Sequence, residues 1–455
     1  AELRDQVRQM SAALQKRGVS AGDGVLIFVP MSIDLYLLLL GVMHMGATVV
    51  FVDPGMGRPQ IEAALALARP RAFAAIPKAH LLRLVSRELR RVPIKLTLGG
   101  KRLARLIADQ PTDGLPTPVA ADAPALLTFT SGSTGQPKGA MRSHRFLLTQ
   151  HRALTDVLGT TPEDIEMPAL PIFLLNTLAA GATAVIPPVG VRVADVDPAA
   201  LAQTLISRRV TTTAGSPALY RPLLEWCRAN QTTFPHLRRL FLGGAPVPPD
   251  LLRQLEALLP NGETVVVYGS TEAEPIAHMA GSEILEQTAS DTAAGHGLCV
   301  GVPADSVRVR IQDDEILVAG DHVNQSYYKN EEAVRLHKIR DSDGTVWHRT
   351  GDAGRFDTAG RLWLLGRTDH VIQRGDRTIY PFSVELAARA LPGVTQAALV
   401  EHDNRITLAW EGDGDEEALS RLDPAMERLV RVPKMPTDPR HNAKIDRVRL
   451  AALLG

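Results

Sequence analysis

Short apolar runs alternate with amphipathic stretches over the first two thirds of the chain. The runs at 25–29 and 47–52 are apolar enough for buried strands, and 60–68 has the apolar periodicity of a helix. The alternation resumes at 183–186 and continues to 264–268. Buried strands separated by helices are typical of parallel sheets. The pattern predicts an α/β fold built on mixed and mostly parallel sheets.

One segment, 35–52, is apolar over nearly its whole length and has to be tested as a membrane span. A spanning helix needs about 20 consecutive apolar residues. Here His44 interrupts the run and Gly46 divides it into a leucine-rich part and a β-branched part. We therefore expect a buried helix that leads into a buried strand, and no transmembrane segment.

The pattern changes after residue 301. Polar and apolar positions alternate at 307–311 and 315–318, which is typical of antiparallel strands with one exposed face. From Asp369 onward the chain has the pattern of a small α+β unit. We therefore place a domain boundary there, with a large N-terminal domain at 1–368 and a small C-terminal domain at 369–455.

Composition and charge exclude some classes of partner. Lys plus Arg and Asp plus Glu both number 50, so the net charge gives no general attraction to nucleic acid or to anionic membranes. The net charge of the whole chain does not reveal a local basic patch. The two cysteines are too few for a disulfide framework, which favours the reducing cytoplasm. The chain opens directly in a helical pattern, so we expect the N-terminal domain to be truncated at its N-terminus.

The string 130–139 follows an apolar strand and is rich in glycine and hydroxyl groups. Glycines let backbone N–H groups approach an anion, hydroxyls add donors, and Lys138 adds a compact cation. A Ser/Thr/Gly turn alone would be a polar surface turn, but the full string after a buried strand predicts a phosphate-binding loop. The P-loop pattern of NTPases is not met. The residues assigned to the loop are Thr130, Ser131, Gly132, Ser133, Thr134, Gly135 and Lys138.

At this string the chain resembles the acyl-adenylate-forming superfamily, which includes acyl-CoA synthetases, nonribosomal adenylation domains and luciferases. The resemblance implies a small mobile C-terminal domain, and ATP with Mg²⁺ as cofactors. A second string resembles the superfamily's nucleotide motif: Tyr268, Gly269, Ser270, Thr271 and Glu272. The resemblance implies that the aromatic ring stacks on adenine and that Thr271 contacts phosphate as a catalytic residue. It also implies that Glu272 is both catalytic and a Mg²⁺ ligand, as suits a hard cation.

Further strings in the expected order strengthen the resemblance. Gly244, Ala245 and Pro246 resemble the adenine pocket. The resemblance implies that Asp352 accepts hydrogen bonds from the ribose and that Arg367 contacts ribose or phosphate. It also implies that Asp369 is the hinge between the domains. Lys444 resembles the catalytic lysine that bridges the substrate carboxylate and the α-phosphate. Each string alone is weak, and their order and spacing carry the resemblance.

At branch level, the strings 53–57 and 440–445 resemble the β-lactone synthetases of bacterial olefin biosynthesis. This resemblance implies that a long-chain 2-alkyl-3-hydroxy acid is adenylated and that its own hydroxyl then expels AMP to give a β-lactone. A fatty acyl-CoA synthetase, a fatty acyl-AMP ligase and a nucleotide-binding pseudoenzyme are the alternatives. Leu174 stands where many CoA-forming members have histidine, and the turn 312–314 is shorter than is usual in the lactone branch.

The partner expected from the resemblance is a hydrophobic carboxylic acid, and association with other enzymes of its pathway stays open. Nucleic acid is not expected. The acyl pocket is expected near Phe173, Leu174, residues 215–219 and Ile276. Core packing is the alternative explanation for each of these apolar residues.

Overall fold

The computed structural model describes residues 2–53, 56–130, 137–188, 196–436 and 445–454. Two compact units divide the chain. Unit 1 comprises Ala1–Arg152 and Asp321–His348, and unit 2 comprises Ala153–Gly320 and Arg349–Gly455. Each unit therefore contains two separate stretches of sequence.

The strands are numbered in chain order. They are β1 Gly24–Phe28, β2 Thr48–Val52, β3 Ala72–Ala75, β4 Ile94–Thr97, β5 Pro124–Thr130, β6 Lys138–Ser143, β7 Ile165–Pro168, β8 Thr183–Ala184, β9 Thr212–Gly215, β10 Arg239–Leu242, β11 Glu263–Ser270, β12 Ala273–Ala280, β13 Leu298–Pro303, β14 Arg308–Gln312, β15 Glu315–Ala319, β16 Lys338–Arg340, β17 Val346–Phe356, β18 Leu362–Arg367, β19 Ile372–Arg374, β20 Arg377–Ile379, β21 Val394–His402, β22 Arg405–Gly412 and β23 Arg428–Arg431.

The helices are numbered in the same way, and 3₁₀ turns occur at Leu81–Leu84 and Thr368–His370. The helices are α1 Glu2–Lys16, α2 Ile33–His44, α3 Arg58–Ala68, α4 Pro77–His80, α5 Arg87–Arg91, α6 Lys101–Ile107, α7 His144–Leu158, α8 Pro171–Ala179, α9 Pro198–Ser207, α10 Pro217–Ala229, α11 Pro249–Glu256, α12 Gly281–Gln287, α13 Ala289–Ala293, α14 Glu331–His337, α15 Pro381–Ala390, α16 Glu416–Ser420 and α17 Arg447–Leu454.

Unit 1 is built on a sheet of order β4-β3-β1-β2-β5-β6, in which all pairs are parallel except β5 with β6. Its core includes the fully buried Phe73 and Phe129. The apolar segment at 35–52 is α2 followed by β2, with Gly46 between them at φ +73°. The predicted helix-to-strand arrangement is confirmed. No helix in the described part of the chain has the length and hydrophobicity needed to cross a bilayer.

The large sheet of unit 2 has a parallel half and an antiparallel half. Strands β7 to β11 pair in parallel, and β11, β12, β13 and β18 follow in antiparallel pairs. Helices α10 and α11 bury their leucines against one face, for example Leu223 and Leu252 against Leu242. The antiparallel half begins before residue 301, at the pair β11–β12, and the change of sequence pattern after residue 301 corresponds to its later strands, including the pair β14–β15.

The C-terminal region has its own small sheets, β19–β20 and β21–β22–β23. Helix α15 packs on β21, and Trp410 and Leu399 lie in a core of their own. The predicted boundary at Asp369 lies in the 3₁₀ turn that precedes this region. That residues 369–455 form a separate mobile domain stays a prediction.

Candidate functional site

Two of the predicted motifs leave the large sheet of unit 2 at the same edge. Strands β10 and β11 are parallel neighbours, with Leu242 opposite Val266. The segment 243–246 therefore follows the carboxyl end of β10, and the segment 268–272 covers the carboxyl end of β11 and the two residues after it. In open α/β sheets this edge is where ligands bind.

Glycine is required at two positions in the first of these segments. A Cβ on Gly243 would lie 2.7 Å from the Val267 carbonyl oxygen. Gly244 has φ +73°, in the left-handed region that other residues rarely adopt. The backbone can pass close to β11 because Gly243 has no side chain, and Gly244 allows the chain to turn after β10.

The structure brings three predicted residues into one contact, although they are far apart in sequence. Tyr268 donates its hydroxyl hydrogen to Asp352 Oδ2 at 2.7 Å. Arg367 Nη1 donates to Asp352 Oδ1 at 3.0 Å and to the Thr350 carbonyl at 3.1 Å. The carboxylate of Asp352 is thus oriented from two sides.

The pairing of β17 with β18 sets this geometry. Asp352 lies opposite Arg367, and Ala353 lies opposite Gly366, but Gly354 lies opposite Leu364. The register therefore shifts by one residue, which makes Leu365 the extra residue of a β-bulge.

Burial raises the pKa of Tyr268 well above that of an ordinary tyrosine, and the adjacent Asp352 carboxylate raises it further. The hydroxyl therefore stays protonated and remains a donor. A carboxylate offers about four lone-pair sites, so Asp352 can still accept from the hydroxyls of a bound ribose.

Glu315, which no sequence motif indicated, binds the segment just before Asp352. It is 5% exposed, and its oxygens accept from the Gly351 N–H at 3.0 Å and from Arg349 Nε at 2.7 Å. Gly351 itself has φ +73°, a conformation that favours glycine, and this hydrogen bond holds its N–H just before Asp352. The available signal was a single carboxylate in the otherwise apolar strand β15.

The turn between β11 and β12 places Thr271 and Glu272, both half-buried, beside this edge. Ser270 Oγ is buried and has no hydrogen-bond partner among the described residues. Leaving a buried hydroxyl unpaired costs about 1–3 kcal/mol. A buried hydroxyl without a partner at the end of β11 fits a site completed by a polar ligand such as a nucleotide.

The donor set near Glu272 can also be tested for Mg²⁺. Within the described ranges, no group of three or more His, Cys, Asp or Glu side chains is arranged to hold a metal ion. Mg²⁺ is commonly held by one or two carboxylates together with substrate phosphates and water. Glu272 fits that arrangement, and its role as the metal ligand stays a prediction.

In unit 1, β5 and β6 flank the predicted phosphate loop. The backbone of Thr130 pairs with Lys138, so the string 131–137 connects the ends of two antiparallel strands. Lys138 is buried, and its Nζ lies 2.6 Å from His337 Nε2 at the end of α14. Residues 131–136 lie outside the described residues, and the loop's phosphate-binding role stays a prediction.

The last two predicted residues are only partly described. Asp369 lies in the 3₁₀ turn after β18, with its Oδ1 3.9 Å from Arg367 Nε and 3.8 Å from His370 Nε2. Lys444 lies outside the described residues. The hinge role of Asp369 and the catalytic role of Lys444 both stay predictions.

The residues expected near the acyl pocket are packed closely in unit 2. Phe173, Leu174, Leu219 and Ile276 are each no more than 4% exposed. A cavity of about 310 Å³ is found on the same sheet, lined by Arg239, Glu263 and eight other residues. Because Arg239 and Glu263 begin β10 and β11, this cavity lies at the opposite end of the strands from 243–246.

Comparison with known proteins agrees with the motifs. Residues 1–328 match a family described as AMP-binding enzyme. An olefin beta-lactone synthetase of Stenotrophomonas maltophilia is 34% identical over 97% of this chain and 88% of its own length. One from Xanthomonas campestris pv. campestris is 33% identical over 99% and 90%. A feruloyl-CoA synthase of Amycolatopsis sp is 29% identical over 88% and 79%.

Solved structures share the fold. The crystal structure of ATP-bound MatB from Rhodopseudomonas palustris superposes with a TM-score of 0.82, covering 99% of this chain and 92% of that one, at 22% identity. At this level of identity the likeness establishes the architecture and leaves the substrate to other evidence.

Proposed function

Because the chain belongs to the AMP-binding enzyme family and is an AMP-forming ligase, we propose that it converts a long-chain 2-alkyl-3-hydroxy acid into a β-lactone. The products of the complete reaction are the lactone, AMP and pyrophosphate. The contact of Tyr268 and Arg367 with Asp352 carries the nucleotide part of the proposal. The extended similarity to two olefin beta-lactone synthetases supports the lactone part.

In the first step the substrate carboxylate attacks the α-phosphorus of ATP, and pyrophosphate leaves. ATP supplies the AMP group that activates the acid. Asp352, oriented by Tyr268 and Arg367, binds the ribose, and the segment 243–246 borders the adenine. Glu272 holds Mg²⁺, and Lys444 neutralises the charge that develops between carboxylate and phosphate.

In the second step the β-hydroxyl oxygen attacks the acyl carbonyl carbon of the same molecule. The bond between that carbon and the AMP oxygen breaks, AMP carries away the electron pair, and the hydroxyl proton passes to water. Because the nucleophile and electrophile belong to one molecule, the enzyme needs mainly to fold the substrate and exclude water. No thiol acceptor takes part.

An acyl-CoA synthetase is the second candidate, and the similarity to a feruloyl-CoA synthase favours it. Both candidates share the adenylation step and differ in the nucleophile of the second step. Leu174, at the position where many CoA-forming members have histidine, favours the lactone.

The test is an incubation of the protein with ATP, Mg²⁺ and a 2-alkyl-3-hydroxy acid, with and without CoA, followed by mass detection. We expect lactone and AMP in both arms. The matched 2-alkyl acid without the hydroxyl should give pyrophosphate and acyl adenylate but no lactone. A thioester that forms only with CoA, and no lactone in either arm, would show that the chain is a CoA ligase.

A further inference from the structure

A run of exposed apolar side chains stands out on unit 1. Leu81, Leu82, Leu84 and Val85 are exposed by 61, 41, 75 and 51%, respectively. No two of the other large exposed apolar residues in the described chain are adjacent in sequence. Single exposed apolar residues are normal on protein surfaces, whereas contiguous ones mark interaction sites.

The Leu81–Val85 turn is held firmly from both sides. It lies between α4 and α5, and the buried Ser86 caps α5 by accepting from the Leu89 N–H at 3.1 Å. On the other side, His80 Nε2 lies 3.1 Å from the Leu96 carbonyl oxygen. The apolar side chains are therefore displayed by an exposed turn with hydrogen bonds at both of its ends.

Positive charge is concentrated in the sequence on both sides of this turn. Residues 69–105 hold eleven Lys or Arg and one acidic residue, Glu88, in a chain whose total net charge is zero. Arg91 pairs with Glu88 at 2.7 Å. The cations are Arg69, Arg71, Lys78, Arg83, Arg87, Arg90, Arg91, Lys95, Lys101, Arg102 and Arg105.

Two arginines are bound to the turn itself, Arg90 and, from outside residues 69–105, Arg58. Arg90 Nη1 donates to the Leu84 carbonyl at 3.0 Å, and Arg58 Nη2 donates to the Val85 carbonyl at 2.6 Å. Lys95 Nζ donates to the Arg90 carbonyl at 3.2 Å. The guanidinium groups of Arg58 and Arg90 therefore lie directly against the apolar turn, and Lys95 lies beside Arg90.

We propose that the Leu81–Val85 turn and its surrounding cations form a membrane-docking surface that binds an anionic lipid bilayer. The apolar side chains enter the boundary between headgroups and acyl chains, and the cations bind lipid phosphates. The charge is complementary to anionic headgroups, and the exposed apolar side chains can enter a fluid interface without a matching pocket. Attachment of this kind is peripheral and independent of the reaction proposed above.

The test is flotation of the whole protein with vesicles of phosphatidylcholine alone or with added phosphatidylglycerol. We expect binding to the anionic vesicles, little binding to phosphatidylcholine alone, and weaker binding at high salt because salt screens exposed charges. Replacing Leu81 and Leu84 together by serine should lower the partition coefficient about tenfold or more. Lys78→Gln with Arg87→Gln should lower it about fivefold per charge.

Matched controls come from the same unit. Leu115 is 81% exposed, so Leu115→Ser removes an equally accessible leucine outside the turn. Lys16→Gln with Arg17→Gln removes two exposed cations of α1 and its end. Both controls should float like the wild type, and all variants should keep the wild-type unfolding temperature and pyrophosphate release with a soluble acid.

The proposal is overturned if the wild type does not float with anionic vesicles, or if the Leu81→Ser, Leu84→Ser variant floats as well as the wild type. Binding of an acidic peptide at the turn without any vesicle binding would assign the surface to an acidic protein instead. Normal pyrophosphate release alongside absent flotation would refute membrane docking and leave the proposed reaction standing.

Discussion

Replacing Tyr268 by phenylalanine removes one hydroxyl and leaves the aromatic ring in place. The lost hydrogen bond, 2.7 Å to the Asp352 carboxylate, is one of the two contacts that orient this group. A hydrogen bond to a charged group is worth about 1.5–3 kcal/mol. The side chain of Asp352 is 21% exposed, so solvent weakens the interaction and the lower figure applies. We expect ATP to bind about tenfold more weakly, because about 1.4 kcal/mol is a factor of ten.

The matched control is Tyr380→Phe. Tyr380 also donates its hydroxyl to an aspartate at 2.7 Å, in this case Asp314 in the turn between β14 and β15. The chemical change is the same, but the acceptor is not Asp352. Titration calorimetry should show ATP affinity close to wild type for this variant, and pyrophosphate release should separate KM from kcat for both variants.

The pH dependence gives an independent check on Tyr268. Burial and the neighbouring carboxylate raise its pKa above the ordinary value of 10.0, so the donor survives as the pH passes that value. Wild-type ATP affinity should therefore show no tyrosine ionisation near pH 10. The reasoning is refuted if Tyr268→Phe binds ATP like the wild type, or if both phenylalanine variants lose affinity equally.

Three further predictions concern Glu315, Asp357 and Lys444. Glu315→Gln removes the buried charge that holds Arg349 and the Gly351 N–H, so ATP affinity and the unfolding temperature should both fall in calorimetry. Burial raises the pKa of Asp357, but hydrogen bonds from Trp363 and Arg361 outweigh it and lower the pKa from 3.8 to about 2. The stabilisation is present above pH 3.8 and is lost as the pH falls toward 2, so Asp357→Asn should cost about 2 kcal/mol in urea unfolding at neutral pH and much less in acid. Lys444→Ala should abolish pyrophosphate release while ATP binding persists, and equal loss of both would contradict a catalytic role.

The fold could be predicted where the information is local. The periodicity of 60–68 and the apolar run at 47–52 specify α3 and β2 because burial alone decides those elements. The α/β class and the antiparallel character of β14 and β15 followed in the same way. The ends of the strands were predicted less well, because a strand ends where its pairing with a neighbouring strand ends. For example, β8 covers only Thr183–Ala184 of the expected 183–186.

The site could be predicted as a set of motifs but not as a geometry. Tyr268 was expected to stack on a base, and its hydroxyl contact with Asp352 depends on pairings between strands that are distant in sequence. Glu315 was missed for the same reason, since its partners are fixed by the fold. The contact of Lys138 with His337 likewise joins residues that no local pattern connects.

The bulge at Leu365 determines which residue of β18 lies opposite Asp352. If the same sequence paired without a bulge, the register that pairs Gly354 with Leu364 would continue and set Gly366 opposite Asp352. Arg367 would then point to the other face of the sheet, because a one-residue slip inverts every side chain. Loss of Leu365 would instead leave a regular ladder with Arg367 still opposite Asp352, whereas one added residue within 362–366 without a second bulge would separate the arginine from its aspartate. In a related chain, the contact between these two residues therefore depends on their spacing together with the bulge, even where the intervening side chains differ.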